Sequence, residues 1–470
     1  MIPVPGFEGR RVAVLGLARS GRAAAAALKA GGAAVLAWDD SEKTRSGIAA
    51  ELSLRDLAKI DWRGVSALML SPGIPHSFPQ PHPAVTAARA AGVPIIGDIE
   101  LLGRAQRKAR FLGITGTNGK STTTALIGHI LASAGEAVEV GGNLGPPALG
   151  LKPLDAGGTY VLEMSSFQLE LVETLAFDIA VLLNVTPDHL DRHGDMAGYV
   201  AAKKRIFARQ GNHATAVVGI DDDFCREIAA ELRRNGDRRI VPVSVKEVVR
   251  DGVYIEDGWI VDAMEGSPTR VFDLREAPLL PGSHNAQNVA AAYAVARRAG
   301  VSPEAAIAGI RTFPGLAHRQ ELVDTIDGVR YINDSKATNA DAAEKALACY
   351  EAIYWIAGGL PKAGGITSLA PYFKRLRHAF LIGDAAGEFA ATLDGKVSYT
   401  RCGDLASAVA AASDRAREEH APDAVVLLSP ACASYDQFPN FEVRGDTFRR
   451  LVGELPGAHP ASNFPGAGSA

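Results

Sequence analysis

Residues Gly113 to Thr122 read Gly-Ile-Thr-Gly-Thr-Asn-Gly-Lys-Ser-Thr, and those types in that order are suited to holding phosphate. Glycines let the backbone curl and turn its N–H groups inward, Lys120 supplies a point charge, and the Ser121 hydroxyl can ligate Mg²⁺. The stretch follows the apolar Phe111-Leu112 and leads into the helix-like Thr123-Thr124-Ala125-Leu126-Ile127. That setting predicts ATP or GTP binding. The strict pattern G-x-x-x-x-G-K-[ST] asks for glycine where the chain has Ile114, so an ordinary glycine-rich turn is the competing reading.

Further polar groups follow other apolar runs. Glu163 comes directly after Tyr160-Val161-Leu162. A carboxylate at the end of a strand beside a phosphate loop can hold Mg²⁺ or a nearby water; otherwise it is a surface or capping glutamate. Asn184-Val185-Thr186-Pro187-Asp188-His189 follows Ile179 to Leu183, placing His189 near metal or substrate, or as a capping group. His189 and His193 have the i,i+4 spacing of a zinc pair, but Pro187 and Gly194 oppose a continuous helix and the zincin glutamate is missing. Lys203, beside Lys204 and Arg205 in the helical stretch Met196 to Ala208, reads on its face as part of a solvated basic helix. Asn285 and Asn288 share a face at i,i+3 after the N-cap candidate Ser283, suited to capping or to reading a base edge.

Near the N-terminus, Gly16-Leu17-Ala18-Arg19-Ser20-Gly21 is similar to the dinucleotide fingerprint G-x-G-x-x-G, with Asp39-Asp40 after the next strand. Ala18 replaces the glycine that admits a pyrophosphate, which favours some other nucleotide over NAD, with plain packing as the alternative. In the last third, His318-Arg319, Asn333-Asp334-Ser335-Lys336-Ala337-Thr338-Asn339, Gly358-Gly359-Leu360-Pro361-Lys362 and Ser429-Pro430-Ala431-Cys432-Ala433-Ser434 carry cations and hydroxyls. All are read as following apolar strands, so they should gather on one rim of a parallel sheet, where open α/β sheets bind ligands. Such a rim suits an anionic amino acid.

The elements that must position these groups alternate short apolar runs with helical stretches, the mark of α/β layers. Strands are expected at Arg11 to Leu15, Val35 to Trp38, Ala67 to Leu70, Tyr160 to Leu162, Ile179 to Leu183, Val329 to Ile332, Ile353 to Ile356, Ala379 to Ile382 and Ala424 to Leu428, and a helix at Arg22 to Ala30. The 470 residues allow three domains at about 150 residues each, expected at 1–98, 99–313 and 314–470, with a disordered tail from about Pro456. An apolar fraction of 47% is ample for cores, and a net charge of −4 argues against a nucleic-acid binder or polybasic membrane anchor. No apolar run reaches transmembrane length, Met1-Ile2-Pro3-Val4-Pro5 does not resemble a secretory signal, and the four cysteines form no C-x-x-C pair. A reduced, cytoplasmic protein is expected.

Together the motifs resemble the Mur ligases, ATP-dependent amide ligases of peptidoglycan precursor synthesis. The resemblance runs from Gly16 to about Leu451 and is most specific at Gly116-Thr117-Asn118-Gly119-Lys120-Ser121-Thr122, at the Asn-Asp-Ser-Lys-Ala-Thr-Asn run and at Ser-Pro-Ala-Cys-Ala-Ser-Tyr-Asp-Gln-Phe. The last two look characteristic of the D-glutamate-adding branch, and the diaminopimelate-selecting Asp-Asn-Pro-Arg motif is absent. A sister ligase using another amino acid is the runner-up; a dehydrogenase built on the first region and a non-catalytic nucleotide-binding module are the more distant alternatives.

The resemblance implies three α/β domains: a UDP-binding Rossmann-like domain, a P-loop ATPase-like domain and a second Rossmann-like domain. In this family the phosphate loop also lacks the first glycine, so Ile114 is ordinary. It implies that D-glutamate is added to UDP-N-acetylmuramoyl-L-alanine through an acyl phosphate, with ATP, two Mg²⁺ ions and a CO₂-derived carbamate on Lys203. ATP would meet Gly116, Thr117, Asn118, Gly119, Lys120, Ser121, Thr122, Asn285, Asn288, Arg319 and Asp334. The sugar nucleotide would meet Ser20, Asp39, Gly73, Asn143 and His189, and D-glutamate Thr338, Lys362, Ser434 and Phe441. The metal set would be Ser121, Glu163, His189 and carbamylated Lys203, and the catalytic set Lys120, His189, Lys203 and Lys362. A monomer is expected, with closure of the ATP and amino-acid domains excluding water.

Overall fold

In this computed structural model the described residues are 1–459, except 49, 50, 237, 278, 281 and 363; at Ser283 and His284 only the backbone is described. Of the tail expected from about Pro456, residues 460–470 lie outside that set. The chain is mixed α/β and divides into two compact units, one of Met1–Ala277 with Ser283–Phe313 and one that runs on from Pro314.

The first unit carries two sheets. One is all parallel, in the order Ser53–Leu54, Ala34–Trp38, Arg11–Leu15, Val65–Leu70, Ile95–Ile96. Strands in such a sheet are covered on both faces and must be apolar on both. Accordingly Val12 and Val14 enter the core beneath the helix Arg19–Ala30, while Ala13 and Leu15 enter another with Ala84, Val85 and Ala88 of the helix Pro83–Ala90. The first of these cores continues without interruption to Phe111, Tyr160 and Leu162 of the second sheet.

That second sheet has nine strands. Val138–Gly142, Thr159–Glu163, Arg110–Thr115, Ile179–Leu182, Thr215–Gly219 and Arg239–Ser244 run parallel in that spatial order. Val253–Glu256, Trp259–Asp262 and Thr269–Asp273 extend the far edge, the last two pairings antiparallel. Parallel strands that end together put Asn143, Met164, Gly116 and Leu183 on one rim.

The second unit holds a sheet in the order Glu321–Ile326, Val329–Asn333, Ala424–Leu428, Ala352–Gly358, Leu376–Ile382, Tyr399–Gly403, parallel except for the first pair. Alternate residues of the central strands face opposite cores: Trp355, Val425 and Leu427 on one side, Tyr354, Ile356 and Val426 on the other. Trp355 is fully buried, and its indole N–H donates to the Ser429 carbonyl at 2.8 Å. Burying such an aromatic group contributes about 3 kcal/mol, and here it also ties a core residue to a rim loop.

Candidate functional site

The phosphate loop is shaped by two glycines with positive φ, Gly116 at +154° and Gly119 at +84°. A side chain at Gly119 would collide with the Asn288 amide, so this turn packs only as glycine. Gly119 caps the helix Lys120–Ser133, whose first N–H groups therefore open onto the loop. Beneath it Asn184 holds the loop backbone: its Oδ1 accepts from Asn118 N–H at 2.8 Å and its amide donates to Asn118 O at 3.2 Å. The Thr117 hydroxyl donates to Thr186 O at 3.1 Å and lies 3.2 Å from the Tyr199 hydroxyl.

Two lysines converge on one carbonyl. Lys120 Nζ donates to Gly116 O at 2.9 Å and to Thr117 O at 2.8 Å, and Lys203 Nζ donates to the same Gly116 O at 2.7 Å. Lys203 is 1% exposed. Burial first, and then the neighbouring Lys120 charge, push its ammonium down to about 7. The solvated-helix reading of this residue is thereby corrected. The helix Met196–Lys204 buries Tyr199, Ala202 and Lys203, while Lys204 turns the other way to pair with Glu231.

Glu163 stands beside the loop strand, in register with Ile114, and is 2% exposed. Its Oε1 accepts from the Asn143 amide at 2.6 Å, and its Oε2 is buried with no hydrogen-bond partner among the described residues. A buried carboxylate oxygen without a donor is costly unless a cation meets it. Asn143 and Glu163, expected in different roles, are thus directly bonded; the Asn143 N–H also donates to Glu163 O at 2.9 Å.

His189 sits at φ +52° at the start of the short helix Leu190–His193, its ring half exposed and 5.0 Å from that of Phe167. His193 faces elsewhere: its ring is buried and lies 2.9 Å from Ser166 Oγ. The two rings differ in polar partner and share the aromatic neighbours Phe167 and Tyr199. Among the described residues no group of three His, Cys, Asp or Glu side chains is placed to hold a metal. A hard cation here would use oxygen from Ser121 and Glu163.

On the first sheet, Asp39 Oδ2 accepts from Leu17 N–H at 2.7 Å and Ser71 Oγ donates to Gly16 O at 2.9 Å. The glycine loop, Asp39 and the turn carrying Gly73 therefore share one rim. Arg19 donates to Gly145 O and links that rim to the loop bearing Asn143. Ser20 adjoins the buried Asp98, whose carboxyl burial pushes up to about 6. Asn288 donates to Asn285 Oδ1 at 3.0 Å and accepts from Thr123 at 3.3 Å, so both amides lie beneath the phosphate loop.

The rim of the second unit is organised around Asp334 and Arg444. Asp334 accepts from Ser429 Oγ at 2.8 Å and from Gln320 N–H at 3.2 Å. Burial pushes its carboxyl up to about 7. Arg444 is fully buried and donates to Ser335 Oγ at 3.0 Å, Ser335 O at 2.8 Å and Cys432 O at 3.2 Å. Ser335 Oγ in turn donates to Phe441 O at 2.8 Å. Thr338 N–H donates to Lys336 O at 2.8 Å, Ser434 is buried, and Lys362 and Arg319 are exposed. Thr338, Ser434 and Lys362 follow the adjacent strands Val329–Asn333, Ala424–Leu428 and Ala352–Gly358, while Arg319 precedes the strand Glu321–Ile326.

Residues 114–296 match the Mur ligase middle domain and residues 318–432 the Mur ligase, glutamate ligase domain. A UDP-N-acetylmuramoylalanine--D-glutamate ligase of Paramagnetospirillum magneticum is 55% identical over 453 residues, 96% of this chain and 98% of that one. The chain belongs to the Mur ligase family. A Rhodospirillum rubrum protein of the same name is 54% identical over 97% of both chains. In fold, this Mur ligase is similar to the UDP-N-acetylmuramate-alanine ligase MurC of Thermotoga maritima, with a TM-score of 0.56 over 94% of this chain and 98% of that one at 16% identity. It is also similar to MurF of Acinetobacter baumannii, with a TM-score of 0.54 over 76% and 81% of the two chains at 20% identity.

Sequence reasoning about this Mur ligase missed Asn184 as the support of the loop and Arg444 as the support of the rim. Arg444 left a signal. It shares the buried face of the helix Phe441–Gly453 with Phe448 and Val452, and a cation in an apolar i,i+4,i+8 stripe needs buried acceptors.

Proposed function

We propose that this protein is an ATP-dependent amide ligase that joins D-glutamate to UDP-N-acetylmuramoyl-L-alanine, releasing ADP and phosphate in peptidoglycan precursor synthesis. Its family membership and its near-full-length relatives named for that reaction support the activity. The observation that carries the chemistry is the convergence of Lys120 and Lys203 on the Gly116 carbonyl, in a loop flanked by the half-satisfied Glu163.

We assign residues 1–98 to the sugar nucleotide, with Ser20, Asp39, Gly73, Asn143 and His189 as contacts. Residues 99–313 are assigned to ATP, through Gly116 to Thr122, Asn285 and Asn288. Residues 314–470 are assigned to D-glutamate through Thr338, Lys362, Ser434 and the backbone of Phe441. Arg319 and Asp334 are assigned to ATP on the strength of the family resemblance. The protein is read as a cytoplasmic monomer; among the described residues no helix is long and apolar enough to cross a membrane.

In the first step a carboxylate oxygen of the alanine end attacks the γ-phosphorus. The bond to the β,γ-bridging oxygen breaks, ADP leaves, and an acyl phosphate forms. Lys120 and the loop N–H groups hold the phosphates, so the charge developing on the transferred group meets donors already in place. Mg²⁺, held by Ser121, Glu163, His189 and carbamylated Lys203, would offset the repulsion between carboxylate and triphosphate. The amine of D-glutamate then attacks the acyl carbon, the C–O bond to phosphate breaks, and a proton leaves the nitrogen.

Carbamylation of Lys203 requires an unprotonated amine to attack CO₂. At an ammonium pKa of about 7 roughly half of the side chain is unprotonated at neutral pH, against well under a thousandth for an ordinary lysine. The product is an anion where a cation stood, with oxygens suited to Mg²⁺.

The test is phosphate release from ATP with UDP-N-acetylmuramoyl-L-alanine plus, in turn, D-glutamate, L-glutamate, diaminopimelate or no amino acid. Release that depends on D-glutamate is expected. Release with L-glutamate or diaminopimelate but not D-glutamate would overturn the assignment.

A further inference from the structure

A chain of polar side chains in the first unit has no part in the chemistry assigned so far. Arg89 Nη2 lies 3.2 Å from His76 Nδ1, and His76 Nε2 lies 3.1 Å from Glu170 Oε2. Glu170 Oε1 lies 3.6 Å from His193 Nδ1, and His193 Nε2 lies 2.9 Å from Ser166 Oγ. With Arg89 donating to Nδ1, the neutral His76 ring must carry its proton on Nε2 and donate it to Glu170. The chain is shielded: the side chains of His76, Glu170 and His193 are 15%, 18% and 2% exposed.

Each partner of Glu170 is a short walk from a different part of the candidate site. His76 follows the Ser71-Pro72-Gly73 turn, Ser166 lies just beyond Glu163, and His193 ends the short helix that begins after His189. Glu170 itself caps the C-terminal end of the helix Ser166–Leu169. The aromatic rings repeat the linkage, with His193 5.4 Å from both Phe167 and Tyr199 and the Tyr199 hydroxyl on Thr117 of the phosphate loop.

We propose that Glu170 is a positioning residue that holds the sugar-nucleotide turn of the first sheet in register with the two metal-bearing segments of the second. The inference rests on the assignments under Proposed function. Glu170 touches none of the reacting groups in that reading; it acts through His76 and His193. Glu170 pairs with the His76 ring through Oε2 at 3.1 Å and sets its other oxygen 3.6 Å from the His193 ring, an electrostatic contact longer than a hydrogen bond, so one residue faces both sides, and misplacement of about 1 Å at a reacting group can cost a hundredfold in rate.

The test compares Glu170→Ala and Glu170→Gln with the full-length wild type. Calorimetry on the ATP-free protein should show Glu170→Ala binding UDP-N-acetylmuramoyl-L-alanine about tenfold more weakly, the effect of losing one charge-assisted bond. In turnover the variant should need more Mg²⁺ for half-maximal rate, with the KM for D-glutamate unchanged. Glu170→Gln keeps two polar atoms in place and should recover most of both losses. His76→Ala, which cuts only the first-sheet side, should weaken sugar-nucleotide binding and leave the Mg²⁺ requirement alone.

Unchanged binding and Mg²⁺ requirement in Glu170→Ala would overturn the proposal. So would an equal rise in all KM values with a lowered melting temperature that Gln does not restore, since that is the signature of a general packing defect. Failure of the activity assignment would appear differently, as a wild type without D-glutamate-dependent phosphate release, and the calorimetric comparison would still decide the linkage.

Discussion

Around Gly116 both lysines meet on one loop carbonyl and Lys203 is buried, whereas the rim of the second unit carries exposed cations beside the buried Arg444. Lys203 is 1% exposed and shares a carbonyl with Lys120, while Lys362 and Arg319 are exposed. The carboxylates show the opposite arrangement. Glu163 keeps one buried oxygen without a partner among the described residues, and Asp334 has both oxygens hydrogen-bonded within its own unit. The first region brings two lysines together, an arrangement that an anion relieves, beside a buried carboxylate oxygen that a cation would satisfy. The second fixes its framework through the buried Arg444 and carries Lys362 and Arg319 at its surface. Phosphoryl transfer needs donors held before charge develops; capture of an amino acid needs an open rim.

The largest expected effect tests the buried side. Lys120→Ala should lower turnover by roughly a hundredfold or more with little change in the KM for D-glutamate, and near-normal activity would end the phosphate-loop assignment. Lys203→Ala should lose activity on a similar scale, which bicarbonate cannot restore and small carboxylic acids partly can; no loss would remove the carbamate claim. On the exposed side, Lys362→Ala should raise the KM for D-glutamate about tenfold, the worth of one hydrogen bond to a charged group, and leave the KM for ATP alone. A shift in the ATP value instead would erase the division between the regions.

An effect on stability, not on rate, concerns Asp334. Its carboxyl is raised to about 7 in the folded protein, against about 4 unfolded, so between those values the folded form holds a proton that the unfolded form has lost. Stability must therefore fall as pH rises from about 4 to about 7, with the penalty complete above 7. Denaturant midpoints at pH 5 and pH 7.5 should differ less in Asp334→Asn than in the wild type. An unchanged difference would remove Asp334 as the cause.

The shape of the Gly116 loop was legible because the glycines there answer to local geometry alone. The alternation of apolar strands with helices likewise disclosed the α/β layers, since a strand buried on both faces, as Ala352–Gly358 is, must be apolar throughout. Lys203 was not legible from the residues themselves, because Lys203-Lys204-Arg205 is what a solvated helix also looks like. The resemblance to the Mur ligases singled it out through the register Tyr199-x-x-Ala202-Lys203, three residues that share the buried face of their helix, and the carbonyl that receives it is 87 residues away in sequence. The Asn143–Glu163 bond and the His76–Glu170–His193 chain are tertiary in the same sense: neighbouring strand ends and a junction of two sheets bring together residues that no spacing rule connects.

We propose that a carboxyl group is activated at the Gly116 loop and then intercepted by the amine of D-glutamate. The most direct measurement uses UDP-N-acetylmuramoyl-L-alanine with ¹⁸O in its terminal carboxylate and reads the released phosphate by mass spectrometry. Activation through an acyl phosphate predicts that one ¹⁸O passes into each phosphate formed with D-glutamate present. Unlabelled phosphate, released at the same rate as the amide forms, would contradict it.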